Sequence, residues 1–199
     1  RVAWVDANID MLRKIHDDPY EHRNLWVSDK TKKNPSFQRL AAVFELFRTD
    51  GLTQLPVQMD GSCNGVQHWA AITRDPYLAN KVNLVASTTP QDLYQYVADI
   101  MTERMGEAVG QDTTAGQWAE RFLSHWGGSV DRSVCKRAVM TDPYGVTFYG
   151  IRKYCKTEGH LNWVGKEQQA GAVMELALFI DGALKGALVE ANKGKAWLK

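Results

Sequence analysis

Apolar residues recur every three or four positions along much of this chain, which is the spacing that puts them on one face of an α-helix. The pattern predicts helices that include residues 2–12, 37–47, 66–73, 93–101, 118–126, 131–141 and 166–199, and Asp17-Asp18-Pro19 is expected to end the first of them. Polar stretches without this period predict loops over 20–34 and 106–116, and the aromatic and glycine-rich stretch 145–165 shows no clear period. The chain is therefore expected to consist largely of helices joined by short connections.

One stretch alternates apolar and polar residues instead. Leu55, Val57 and Met59 occupy every second position, as they do in a half-buried strand, and Asp60-Gly61 ends the run. We therefore predict a fold that is mainly α with a small β component (α+β).

Several dipeptides indicate where helices begin. Asn34-Pro35 and Thr89-Pro90 each combine a capping residue with proline, which is favoured at the first helical position. Asp131 is a third candidate cap, immediately before the helix predicted to run to about residue 141. These signals predict helices that begin near residues 35, 90 and 132.

Composition excludes several classes of protein. The 199 residues are 44% hydrophobic and 24% charged, with a net charge of +1, so the chain is not a basic nucleic-acid-binding protein as a whole. Three cysteines, an odd number without CxxC spacing, argue against a disulfide framework or zinc ribbon and favour a reducing compartment. No apolar run reaches the roughly 18 residues of a membrane span. Because the chain starts with Arg1 and ends in helical register, we expect a piece of a longer protein.

The segment QMDGSCNGVQHW places Asp60 at the tip of the predicted strand, before residues too small to pack. An aspartate at this position is most often a turn former. A carboxylate beside a glycine carbonyl also provides the hard oxygen ligands that Mg²⁺ prefers. A zinc site at Asp60 and His68 would lack further ligands. A nucleophilic thiol at Cys63, activated by His68, would lack an acid to orient the histidine.

A second segment, DRSVCKRAVMTDPYGVTFYG, concentrates positive charge on one helix. Arg132 and Lys136 are four residues apart and share a face, with Arg137 beside them and Tyr144 further along. Such a face is ordinarily solvated, but stacked cations also match a polyphosphate. Combined with the oxygen site at Asp60, the pattern indicates metal-assisted nucleotidyl transfer.

Three aromatic residues at helical spacing, Trp118, Phe122 and Trp126, have two interpretations. They form either part of a hydrophobic core or a platform on which bases stack. The core is the commoner arrangement and is the one we predict.

The two segments carry a resemblance to a known family. DGSCNGVQHWAAITRD resembles motif A of the single-subunit DNA-directed RNA polymerases of bacteriophages and mitochondria, and RSVCKRAVMTDPYG is similar to their motif B, R-x3-K-x7-Y-G. The segments VNLVASTTPQDLYQYVA and GKEQQAGAVMELAL are also similar to that family. The resemblance covers nearly the whole chain. It implies a palm–fingers fragment of the right-hand polymerase fold, with residues 1–88 in the palm and 89–199 in the fingers.

The resemblance implies a role for each matching residue. Asp60 and the carbonyl of Gly61 are expected to bind two catalytic Mg²⁺ ions. Arg132 and Lys136 are expected to bind the triphosphate of the incoming nucleotide, with Arg137 nearby and Lys136 closest to the reacting phosphate.

Further positions are implied around these residues. Tyr144 is expected beside the nucleotide sugar, where it helps to select ribose, and Gly145 is expected to let the template strand pass close. Tyr94 is expected to support the nucleotide site. His68 and Arg74 are assigned only to its surroundings.

The implied partners are a DNA template, an RNA transcript, ribonucleoside triphosphates and the rest of the polymerase chain, with no membrane. We expect a reducing intracellular compartment and favour the cytoplasm of a phage-infected host over the mitochondrion.

Two departures from the family pattern affect these expectations. Pro143 precedes Tyr144 and is expected to end or kink the motif B helix. The family's second metal-binding aspartate lies in a His-Asp-Ser motif, which does not occur here, so residues 1–199 alone are expected not to polymerise RNA. Two alternatives stay open: a DNA polymerase of the same superfamily, although DGSCNG lacks the bulky acid usual there, and a non-catalytic nucleic-acid-binding module.

Overall fold

The computed structural model of the chain describes residues 2–27, 36–49 and 60–198. These residues belong to two compact units, Arg1–Met59 and Asp60–Lys199. Regular structure in the described part of the chain is helical throughout, which confirms the mainly α fold. The predicted strand at 55–59 and the predicted cap at Asn34-Pro35 lie outside the described residues.

Within residues 2–27 and 36–49, the first unit contains four helices: α1 (Val2–Ala7), α2 (Ile9–Asp17), α3 (Arg23–Trp26) and α4 (Ser36–Arg48). The single helix expected from residue 2 to the stop at 17–19 is interrupted at Asn8, whose side-chain amide donates to the carbonyl of Trp4 at 2.7 Å. The short α3 lies where a loop was predicted. A small core links these helices through Leu12, Ile15, Trp26 and Val43.

The second unit contains the remaining helices: α5 (Asn64–Thr73), α6 (Pro76–Lys81), α7 (Leu93–Ala108), α8 (Thr114–His125), α9 (Arg132–Thr141), α10 (Phe148–Thr157), α11 (Gln169–Ala187) and α12 (Val189–Trp197). A 3₁₀ turn, Asp142–Tyr144, follows α9 directly. The predicted palm–fingers boundary at residue 88 falls inside this unit, and the assignment of the two portions stays a prediction.

Two expectations about these helices were wrong, and one stretch without a clear period proved helical. Helix α7 begins at Leu93 rather than at Pro90, because Asp92 is the cap and accepts hydrogen bonds from the backbone N–H groups of Tyr94 and Gln95. Helix α10 lies within the stretch 145–165, where the sequence showed no clear period, and Thr147 is its cap. The predicted C-terminal helix is broken at Leu188 into α11 and α12.

Helix α7 lies at the centre of the second unit and packs against α8, α9 and α11. Trp118 and Phe122 are buried in this core, which confirms their predicted structural role. Phe122 stacks between Trp118 and Trp126, with ring centroids 5.5 and 5.3 Å away. Of the described helices, none combines the length and apolar character needed to cross a bilayer.

Candidate functional site

An open cleft of about 440 Å³ in the second unit gathers most of the predicted site residues. It is lined by residues 60–63 and 90–94 together with Arg132, Lys136 and Met140. The segment before α5, the start of α7 and one face of α9 therefore meet at the cleft. Five residues that the sequence assigned to one site line it: Asp60, Gly61, Tyr94, Arg132 and Lys136.

Helix α9 presents its two cations to this cleft because its opposite face is apolar. Asp131 begins the helix by accepting a hydrogen bond from the backbone N–H of Ser133 at 2.8 Å, and hydrogen bonding with Ser133 lowers the pKa of Asp131. The residues of the other face are buried in the core: Val134, Cys135, Ala138 and Val139. With that face fixed, Arg132 and Lys136 are both left on the cleft side, one helical turn apart.

Arg132 is held by a carboxylate that the sequence reasoning did not select. Its Nε lies 2.8 Å from Oδ2 of Asp92, and its Nη2 donates to Oδ1 of Asp92 at 3.4 Å. The Nε contact is an ion pair only, since this buried atom has no partner of hydrogen-bond geometry among the described residues. Asp92 therefore both caps α7 and neutralises one of the two cations of the cleft.

Tyr94 lies beneath both cations. The guanidinium of Arg132 is 5.2 Å from the centroid of its ring, and the ammonium of Lys136 is 5.9 Å away. Burial raises the pKa of Tyr94 to about 12, so its hydroxyl stays protonated at neutral pH. The ring thus supports the cations as a neutral surface, and in the described part of the chain Lys136 has no carboxylate partner.

Asp60 and Gly61 are exposed at the other wall of the cleft. The carbonyl of Gly61 accepts a hydrogen bond from the N–H of Cys63 at 3.0 Å. A Cβ at residue 61 would lie 2.9 Å from Oε1 of Gln67, whose amide is held by the carbonyl of Val82 at 2.7 Å. A side chain at residue 61 would therefore displace the Gln67 side chain from this position. Among the described residues, no group of three or more His, Cys, Asp or Glu could hold a metal ion.

Cys63 begins α5 with a left-handed backbone, at φ 63°. Burial raises the pKa of its thiol, which is the opposite of what a nucleophilic cysteine needs. His68 and Arg74 are exposed on or at the end of α5 and do not line the cleft.

Tyr144 and Gly145 lie beyond the cleft residues of α9. The helix ends at Thr141, as Pro143 led us to expect, and the chain continues in the 3₁₀ turn. Tyr144 is 71% exposed, and its hydroxyl donates to Oδ1 of Asn64 at 3.2 Å. Gly145 closes the turn at φ 81°, a conformation that glycine adopts without strain.

Arg137 is not placed with Arg132 and Lys136. It hydrogen-bonds to the carboxylate of Glu158 beside α10, and its guanidinium lies 4.7 Å from the ring centroid of Tyr154. The Glu158 carboxylate raises the pKa of Arg137 further above its usual value. Arg137 thus connects α9 to the end of α10, and the nucleotide contact expected of it stays a prediction.

Comparison with known proteins identifies the family of this chain. The family described as DNA-dependent RNA polymerase matches residues 1–199. The chain is 32% identical over 206 positions to the mitochondrial DNA-directed RNA polymerase of Schizosaccharomyces pombe, covering 100% of this chain and 17% of that protein. It is 35% identical to the mitochondrial enzyme of Mus musculus over 159 positions, covering 76% of this chain and 12% of that protein.

A third relative, DNA-directed RNA polymerase 1, mitochondrial, of Arabidopsis thaliana, is 32% identical over 166 positions, covering 78% of this chain and 16% of that protein. The chain thus spans less than one fifth of each of these relatives. All three are named as mitochondrial, so they lend no support to the expected phage-infected cytoplasm. Since the family match extends over every residue, the chain belongs to the DNA-dependent RNA polymerases of the single-subunit type.

Proposed function

We propose that this chain provides the nucleotide-binding part of an enzyme that joins ribonucleoside triphosphates into RNA on a DNA template. The observation that carries the proposal is the position of Arg132 and Lys136 in one cleft with Asp60. Two cations at helical pitch in a cleft that also contains a carboxylate fit a triphosphate that must be held while one of its bonds breaks. A cleft of about 440 Å³ is also within the range of nucleotide-sized ligands.

Lys136 is the principal phosphate ligand in this proposal. Because Asp92 already neutralises Arg132, Lys136 provides the uncompensated charge of the described cleft wall. A charge-assisted hydrogen bond from its ammonium would stabilise negative charge on the phosphates as the bond to pyrophosphate breaks. Arg132 would add its remaining N–H groups and orient the phosphate chain.

The residues at the opposite wall fit Mg²⁺ in part. Asp60 offers a carboxylate, and the carbonyl of Gly61 keeps one lone pair after its hydrogen bond with Cys63. In proteins Mg²⁺ commonly uses one or two carboxylates and completes its shell with water and substrate phosphates. Two bound ions would supply an activated 3′-hydroxyl and charge neutralisation at the leaving pyrophosphate. One carboxylate holds two ions poorly, so we expect residues 1–199 alone not to extend RNA.

Selection of the sugar is assigned to Tyr144. Its hydroxyl donates to Asn64, the residue that follows the cleft segment 60–63, and its side chain is exposed, which supports a position beside the bound nucleotide. Gly145 would lie against the template strand. The DNA template, the RNA transcript and the remainder of the polymerase are the partners that this arrangement requires.

The test measures binding of a fluorescent ribonucleoside triphosphate to the chain and its addition to primed RNA by the complete protein. Lys136→Met should weaken binding by about 10- to 100-fold, the loss of one hydrogen bond to a charged group. Lys153→Met is the matched control, because Lys153 is an exposed lysine of α10 outside the cleft. Equal losses of binding affinity in the two variants would contradict the proposal. So would the finding that the complete protein adds deoxyribonucleotides in preference to ribonucleotides.

A further inference from the structure

The 3₁₀ turn that carries Tyr144 is held by side chains from two other helices. The carbonyl of Asp142 accepts from the ammonium of Lys195 in α12 at 3.4 Å, and the carbonyl of Pro143 accepts from the indole N–H of Trp69 in α5 at 3.2 Å. Asp142 also accepts from the N–H of Gly145 at 2.9 Å, which closes the turn. Both carbonyls that precede Tyr144 are therefore fixed from outside the turn.

A charged contact strengthens this attachment. Nζ of Lys195 lies 2.6 Å from Oδ2 of Asp142, and the two side chains are only 17% and 15% exposed. Lys193 and Glu190, in the same helix, form a pair of similar length, at 2.7 Å, that is 68% and 47% exposed. Because solvent and salt screen exposed pairs most, the Asp142–Lys195 pair has the stronger influence on conformation.

The neighbouring helices give this contact little freedom to shift. A Cβ at Gly194 would lie 2.8 Å from Cζ3 of Trp69, so α12 packs directly on α5 beside Lys195. A Cβ at Gly65 would lie 2.8 Å from Cβ of Pro143 and 3.1 Å from Cζ of Tyr144. The turn and the Tyr144 ring thus rest against the first turn of α5, next to the cleft segment 60–63.

We propose that Asp142 and Lys195 are positioning residues that hold Tyr144 at the sugar of the incoming nucleotide. This inference rests on the proposed function, since it assigns the pair to the choice between ribose and deoxyribose. Neither residue lines the cleft of Arg132 and Lys136, so the triphosphate contacts do not depend on the pair. Loss of the pair lets the turn and the Tyr144 ring take other orientations while the phosphate ligands stay in place.

The experiment compares the ratio of kcat/KM for a ribonucleotide and the matching deoxyribonucleotide in the complete protein. Asp142→Asn and Lys195→Met should each lower this ratio about fivefold or more, with KM for the ribonucleotide changed about twofold or less. The double variant Asp142→Asn/Lys195→Met leaves no lone charge in the partly buried site, so it tests the pair even if a single variant folds poorly. Its ratio should fall as well, and Asp142→Glu should retain most of the wild-type ratio.

Lys193→Met is the matched control, because it breaks an exposed pair in α12 that does not touch the turn. Its ratio should equal that of the wild type. A double variant that adds nucleotides with the wild-type ratio would overturn the inference, as would an equal fall in Lys193→Met. A merely structural role predicts lower thermal stability with an unchanged ratio. A wild-type protein that adds no nucleotide to primed RNA would instead contradict the proposed function itself.

Discussion

Replacement of Gly65 by alanine tests how tightly the turn before Tyr144 rests on α5. Gly65 is the second residue of α5 and is buried. The added Cβ would lie 2.8 Å from Cβ and 3.1 Å from Cγ of Pro143, and 3.1 Å from Cζ of Tyr144. Real Cβ atoms do not approach other atoms this closely, so either the turn or α5 must move.

Two opposing terms set the magnitude. Insertion of a methyl group into a packed contact costs about 1–3 kcal/mol, while replacing a helical glycine by alanine gains about 0.5–1 kcal/mol. We therefore expect a net loss in the free energy of unfolding of up to about 2.5 kcal/mol. Because proline has a rigid ring, the displacement should pass to Tyr144 and lower the preference for ribonucleotides.

Gly171→Ala isolates the steric term. Gly171 is the third residue of α11, and a Cβ there would meet only Trp118, at 3.6 to 4.0 Å, which is ordinary van der Waals contact. Its helical gain should match that at Gly65, so the difference between the two variants, about 1–3 kcal/mol, measures the overpacking alone.

Urea unfolding of the chain gives the two free energies, and nucleotide addition by the complete protein gives the sugar preference. If Gly65→Ala gained as much stability as Gly171→Ala and selected ribonucleotides as the wild type does, the turn would not be fixed against α5. The positioning of Tyr144 by this contact would then be refuted.

Two further predictions concern the cleft and the core. Asp92→Asn should lower KM for nucleoside triphosphates in steady-state assays about two- to fivefold, because asparagine caps α7 equally well but removes a negative charge from the cleft. Asp75→Asn, the same change at the cap of α6 outside the cleft, should leave KM unaltered. A higher KM in Asp92→Asn would contradict the reasoning. Burial raises the pKa of Cys135 from 9.0 to about 12, so on raising the pH the unfolded chain loses this proton before the folded chain does. The contribution of the thiol to stability should therefore be complete below pH 9 and decrease as pH rises toward 12. Urea midpoints measured from pH 7 to 10 should fall less steeply in Cys135→Ala than in the wild type, and parallel profiles would show that the thiol does not cause the pH dependence.

Helix α9 shows how far local signals predict structure. Its cap, its end near Pro143 and the shared face of Arg132 and Lys136 all follow from residues within one short segment and are confirmed, whereas Arg137 lies apart from that face. Helix α6 was equally predictable, because Asp75-Pro76 is a cap followed by proline at the first helical position, and the signal was overlooked. At Thr89-Pro90 the same kind of signal misled, since Asp92 is the cap that the backbone uses.

Tertiary packing determines the helix bounds that local sequence signals did not predict. Glycines and aromatic residues hide the period of α10, so its pattern resembles a loop until Ile151 and Cys155 are seen to be buried. The break at Leu188 has no proline beside it, and Gly186 in the last turn of α11 is a weak signal, because glycines at 171 and 182 do not interrupt the same helix. Leu188 is buried, and its backbone at φ −116° and ψ 41° ends α11 so that α12 can pack on α5. A helical pattern along the sequence contains no information about such a change of direction.

The charge distribution of the site depends on partners that are distant in sequence. Asp92 has a complete local explanation as a helix cap, so nothing near it indicates that it also neutralises Arg132, 40 residues away. A count of motif B cations therefore overstates the positive charge available to a phosphate. Once Asp92 and Glu158 are matched with Arg132 and Arg137, Lys136 is the motif B cation without a carboxylate partner among the described residues. This is the physical reason why Lys136, rather than either arginine, should dominate triphosphate binding.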